Sequence, residues 1–172
     1  VIWKSDQGLR KGELAVCDAK GHMRHAVDLS RQKMDEGCGG PFGAIIVRKG
    51  EVIAEGWNNV TSNNDPTAHA EVSAIRAACE KLGTFNLSGC EIYTSCEPCP
   101  MCLSAIYWAR LDKIYYANGR DDAAAIGFDD QFLYDEVAKP INDRTLPIVH
   151  VDLPEAREVF AAWDAKEDKI EY

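Results

Sequence analysis

The apolar positions change period along the chain, and the changes mark the elements. Over 22–37, HMRHAVDLSRQKMDEG places Met23, Val27 and Met34 along one face and ends in Gly37, which predicts a helix with a glycine stop. GGPFGAIIVRKGEVIAEGWNN then reads as a hairpin, with a buried strand over 44–48, a Lys49-Gly50 turn and a second strand over 52–56. An Asn-rich loop, NNVTSNN, leads to Asp65-Pro66, a helix-start signal. TAHAEVSAIRAACEKLG follows with Val72, Ile75, Cys79 and Leu82 at helical spacing and Gly83 as the stop. CEIYTS reads as a strand, PCPMCLSAIYWAR as a helix opened by Pro98, and DKIYYAN as a further strand. The mixed segment over 119–144 holds a turn-like GFDD and a helix QFLYDEV. LPIVHV reads as a last strand, and a helix over 154–166 carries Val159, Phe160 and Trp163 on one face. Alternating helices and strands predict a three-layer α/β/α sandwich around a mixed sheet of about five strands.

Length and composition narrow the class. At 172 residues and 46% hydrophobic, the chain suits one compact domain. The expectation is a single domain over 21–172 preceded by an N-terminal extension over 1–20, partly disordered. That extension lacks the apolar core of a signal peptide. No run of 18 apolar residues predicts a membrane span. The seven cysteines are odd in number and three are crowded together, a usage that fits metal or catalytic thiols in the cytoplasm better than a secreted disulfide framework. The net charge of −9, with Lys and Arg scattered among more numerous acids, argues against a nucleic-acid partner.

The chemistry gathers at two helix starts. Cys99 and Cys102 are three apart at the head of one predicted helix and so share a face, where the positive end of the helix dipole favours thiolates. His69 and Glu71 lie near the first turn of the other. Residues two apart do not face each other on a helix, so both can serve one site only if it is approached end-on. Cys96, Cys99 and Cys102 also spell C-x-x-C-x-x-C, but the ferredoxin run continues to a further Cys where Ile106 stands. A closed structural zinc of Cys96, Cys99, Cys102 and His69 is a second alternative. It would leave Glu71 unexplained and would need Cys96, before the proline, to turn toward the metal. GCGGPFG is a turn and not a phosphate loop, and His22, His25 and His150 read as surface or satisfied histidines.

HAE…PCPMC matches the H-x-E…P-C-x-x-C pattern of zinc deaminases acting on nucleobases. Through PFGAIIV, DPTAHAEVSAIRAAC and YTSCEPCPMCLSAIYWAR the chain resembles the cytidine deaminase superfamily. Through NNVT, GFDDQFLYDEVAKP and the terminal Tyr it resembles the small bacterial guanine deaminases within it.

The resemblance implies one Zn2+ per subunit on His69, Cys99 and Cys102, with water as the fourth ligand. It implies Glu71 as the acid–base, and hydrolysis of guanine to xanthine and ammonia. Phe42 would pack on the purine and Trp108 would help wall the pocket. Asn58 would bond the base edge, and Asp130 would bind the amino edge and help shuttle protons. Tyr172 would complete the pocket of a partner in a homodimer that exchanges C-terminal segments.

Plainer readings stand beside these. Phe42 is otherwise a core aromatic, Trp108 a core helix residue, Asn58 a turn cap and Asp129-Asp130 a solvated helix start. For the activity, the alternatives are a deaminase of guanosine, an aminotriazine or another small amino-heterocycle, and a non-enzymatic structural zinc module.

Overall fold

The computed structural model describes residues 14–171, so the expectation for the first 13 residues and that for Tyr172 lie outside the described residues. Among these, helix α1 spans Leu14–Asp35, strand β1 Gly43–Arg48, β2 Glu51–Trp57, α2 Val60–Asn63, α3 Ala70–Leu82, β3 Cys90–Cys96, α4 Pro100–Trp108 and β4 Lys113–Asn118. Then come α5 at Arg120–Ala125, α6 at Gln131–Ala138, a 3-10 turn at Ile141–Asp143 and α7 at Pro154–Asp164. The helix expected over 22–37 therefore begins earlier, because Gly21 is tolerated inside it.

Turn chemistry acts where the sequence placed it. Lys49 and Gly50 both take positive φ, 53° and 82°, the backbone of a two-residue hairpin turn. Gly83 ends α3 in the left-handed region, and its N–H and that of Thr84 close back on the Glu80 and Cys79 carbonyls.

The described sheet has four strands in the order β2-β1-β3-β4, with β1 antiparallel to both neighbours and β3 parallel to β4 across α4. The expectation of about five strands is corrected here. LPIVHV, over 146–151, forms no strand, and its Val149 and Val151 are exposed. An apolar run becomes a strand only when an edge accepts its backbone.

β1 is buried on both faces. Ala44 and Ile46 join Ile92, Ala70, Ala74, Ala78 and Ile106 on one side, whereas Ile45 and Val47 meet Ala26, Leu29 and Tyr93 on the other. The sheet thus lies between α1 and the helices α3 and α4, as the α/β/α expectation holds.

Two compact units divide the chain, one ending at Asp129 and the other beginning at Asp130. In the second, neither α6 nor α7 buries a residue, and Phe160 is 80% exposed.

Glycine sets how closely α3 lies on the sheet. A Cβ at Gly56 would stand 2.3 Å from both the Ala70 carbonyl oxygen and the Ala74 nitrogen, backbone atoms of the first turns of α3. No rotamer relieves that overlap. Gly56→Ala is expected to destabilise the fold by about 1–3 kcal/mol or more through forced separation of α3 from β2. Denaturant titration measures this, and an unchanged midpoint would show that α3 does not depend on the close approach.

Candidate metal centre

Both metal-facing helices present an N-cap that does not cap. His69 stands at the N-cap of α3 with extended backbone (φ −67°, ψ 159°), and its side chain makes no capping hydrogen bond. Cys99 does the same for α4 (φ −64°, ψ 168°). Pro100 enforces this, since a residue before proline is driven out of the helical region. Pro100, and not the expected Pro98, therefore occupies the first turn of α4. The freed side chains meet in front of the two helix ends.

His69 Nδ1 lies 3.6 Å from Cys99 Sγ and 3.5 Å from Cys102 Sγ, and the three donor atoms all fall within 4.8 Å of one another. Zinc bonds of ~2.0–2.1 Å to nitrogen and ~2.3 Å to sulfur at a tetrahedral angle require N···S separations of about 3.5–3.6 Å. The donor set and its spacing fit zinc.

Cys96 stays apart. Its residue pairs with Asn118 across β3 and β4, and its thiol, 3.8 Å from the Gly119 carbonyl oxygen, points to the strand end. The His69–Cys99–Cys102 group is thus three-membered, which is the open arrangement.

Glu71, the second residue of α3, is only 6% exposed. Thr94 Oγ1 donates to its Oε1 at 3.2 Å, and Cys102 Sγ lies 3.4 Å from its Oε2. Burial pushes the Glu71 carboxyl above the usual carboxylate range, with the Cys99 charge adding to it. The two thiols move in opposite directions. A hydrogen bond from Cys102 holds Cys99 down to about 4, with His69 assisting against burial. The same bond raises Cys102, followed by burial and the Glu71 charge. His69 is raised, chiefly by its hydrogen bond with Cys99.

Phe42 packs against the core on the α3 side, and Phe128 meets it edge-on at 4.9 Å between ring centroids. Gly40 sits against both rings. Asn58 is buried, and its Oδ1 lies 3.4 Å from the Gly40 N–H and 3.2 Å from the Val60 N–H, both of which donate to it. The sequence allowed this amide to donate and accept at once. Here the acceptor side is engaged by the chain itself, so the NH2 group is what remains to donate.

Trp108 ends α4, eight residues and about 12 Å along the axis from Pro100, and is 63% exposed. Asp130 is the N-cap of α6 and opens the second unit. Thr94 and Phe128 are contacts to which the sequence assigned no role. A threonine in a buried strand and an aromatic in a GFDD turn carry no signal of what they face. Among the remaining histidines, His22 Nε2 lies 3.2 Å from the Gly50 carbonyl oxygen and His25 pairs with Glu55, as satisfied side chains.

Residues 17–118 match the family model for the cytidine and deoxycytidylate deaminase zinc-binding region. The chain is 55% identical to guanine deaminase of Bacillus subtilis over 150 residues, which is 87% of this chain and 96% of that protein. It is 48% identical to a tRNA-specific adenosine deaminase of Aquifex aeolicus over 77 residues, 45% of this chain and 51% of that one. The X-ray structure of the Bacillus subtilis guanine deaminase superposes with a TM-score of 0.87 at 54% identity, covering 89% of this chain and 98% of that chain. Guanine deaminase from Nitrosomonas europaea gives a TM-score of 0.62 at 32% identity, over 74% of this chain and 80% of its own. With the zinc-fitting donors at two helix starts and a family match across all of them, the chain belongs to the cytidine and deoxycytidylate deaminase zinc-binding family.

Proposed function

We propose that this protein is a zinc-dependent guanine deaminase, converting guanine and water to xanthine and ammonia. The observation that carries the reading is a three-donor metal cluster with a buried carboxylate beside it, in a chain 55% identical to a guanine deaminase over 87% of its length. His69, Cys99 and Cys102 would hold the zinc, which when bound would supply a Lewis acid for activating water at neutral pH.

Glu71 is the proton carrier. Its carboxylate, shielded from bulk water, takes protons from the attacking water and passes them to the ring nitrogen and to the leaving amine. Phe42 offers its ring to the flat face of the purine, with Phe128 bracing it. Asn58 donates its amide N–H to an acceptor on the base edge, because its own oxygen is already engaged. Asp130 binds the amino edge and helps move protons, and Trp108 walls the pocket.

The functional unit is a homodimer with exchanged C-terminal segments, in which Tyr172 completes the partner's site. Support comes from the second unit, whose helices bury nothing and leave Val159 and Phe160 exposed. Apolar faces of that kind need a cover. The net charge of −9 favours a free base over tRNA. Among the described residues no helix is long and apolar enough to cross a membrane. The cytoplasm, which keeps thiols reduced, is the proposed compartment.

The cluster geometry sets the metal content. His69→Ala or Cys99→Ala is expected to abolish stoichiometric zinc, whereas Cys96→Ala retains one zinc per chain by elemental analysis. Loss of zinc from the Cys96 variant would restore the closed structural site.

Ammonia release from guanine, guanosine and tRNA tests the activity, with guanine expected to be the preferred substrate. Glu71→Gln should keep its zinc and fold yet lose at least about 10²–10⁴-fold in kcat. Near-normal turnover by the zinc-loaded variant would remove Glu71 from the chemistry.

The exchanged tail predicts complementation. Glu71→Gln and a chain truncated before Tyr172 are each expected to be inactive, and to regain part of the activity when unfolded and refolded together. Only in the mixed dimer does an intact Glu71 receive an intact tail. Mixed dimers that stay inactive would show that the tail does not serve the partner.

A further inference from the structure

We propose that Thr94 is a positioning residue for the proton transfers: its hydroxyl fixes the Glu71 carboxylate in the orientation from which it carries protons. The inference rests on Glu71 being the proton carrier.

Thr94 is only 1% exposed and lies in β3, with Ala44 of β1 paired on one side and Tyr116 of β4 on the other. Both strand neighbours hold its backbone, and a β-branched side chain is stiff at its first torsion. Its hydroxyl is therefore a rigid donor aimed from the sheet at Oε1 of Glu71, 3.2 Å away. The two carboxylate oxygens become unlike. Oε1 is tied to the sheet, while Oε2 lies beside Cys102 Sγ, at 3.4 Å, on the side of the metal cluster. A glutamate has three side-chain torsions, and at the helix start this carboxylate meets its own backbone N–H. The Thr94 bond supplies a second fixed point, so that Oε2 is the oxygen left to exchange protons. The arrangement draws sheet and helix into one device, with α3 delivering the carboxylate and β3 setting its rotation.

A donor that only satisfied a buried carboxylate would affect stability and leave the chemistry alone. Thr94→Val keeps the shape and removes the donor, and Thr94→Ser keeps the donor. A hydrogen bond to a charged group is worth enough for Thr94→Val to lower kcat on guanine by about 10- to 100-fold. KM should stay near the wild-type value, because the substrate is not touched. Zinc content should be unchanged, and Thr94→Ser should keep most of the rate. In the double variant, Thr94→Val should cost nothing further once Glu71→Gln is present, since both changes remove the same function.

A Thr94→Val enzyme with wild-type kcat overturns the proposal. So does an equal loss in Thr94→Ser, or a further loss in the double variant. Should Thr94→Val fail to fold with zinc, Thr94→Ala is measured against Thr94→Ser by the same criteria. Turnover by Glu71→Gln would overturn the proton-carrier reading and this inference with it. An inactive Glu71→Gln beside a fully active Thr94→Val would remove Thr94 alone.

Discussion

A carboxylate buried beside a thiol and a hydroxyl is held by its neighbours, so its placement depends on what the fold puts around it. Glu71 is the point at which the layers of the first unit meet. Helix α3 supplies the residue, α4 supplies the neighbouring Cys102, and β3 supplies the Thr94 hydroxyl. Each partner reaches it because α3 lies hard against β2, where Gly56 has no side chain to hold them apart. Small residues continue that seam, with Ala70, Ala74 and Ala78 fully buried along α3. A sandwich this closely packed leaves few rotamers open to the groups at its edge.

The same convergence explains the metal donors. An N-cap side chain ordinarily bonds to the free backbone N–H groups of its own helix. His69 and Cys99 stand in that position and do otherwise, so two helices give up a capping bond and direct a ligand forward instead. The two helix N-termini concentrate positive potential on the thiols. The hydrogen bond between the two thiols holds Cys99 low and pushes Cys102 up, and Cys102 lies 3.4 Å from Glu71 Oε2. Thiols bind a metal as thiolates, which couples metal affinity to pH.

The second unit follows a different logic. From Asp130 onward the helices carry apolar residues that the unit itself does not bury, and Val149 is 79% exposed. Helix α7 leaves Val159 and Phe160 exposed. The proposed exchanged dimer would meet the need to cover them.

Much of this was legible in the order of residues. Local signals were sufficient for the hairpin around Lys49-Gly50, for α3 with its Gly83 stop and for α4, because turn geometry and apolar period are written in neighbouring residues. The spacing of His69, Glu71, Cys99 and Cys102 was equally plain, since each ligand sits within a residue or two of a helix start. The strand expected at LPIVHV did not form, because strand pairing is decided by a distant edge and not by the apolar run. Pro100 displaced Pro98 as the helix opener, as only the backbone shows which residue takes the extended N-cap. Asn58 lost its acceptor to the chain itself, and Thr94 gained a carboxylate 23 positions away. Sequence by itself picked out the His69, Cys99 and Cys102 donors that could hold a metal, because metal ligation demands particular atoms. Tertiary structure decided which oxygen and which nitrogen remain available, because hydrogen bonding in a packed interior is settled by neighbours that the chain order does not name.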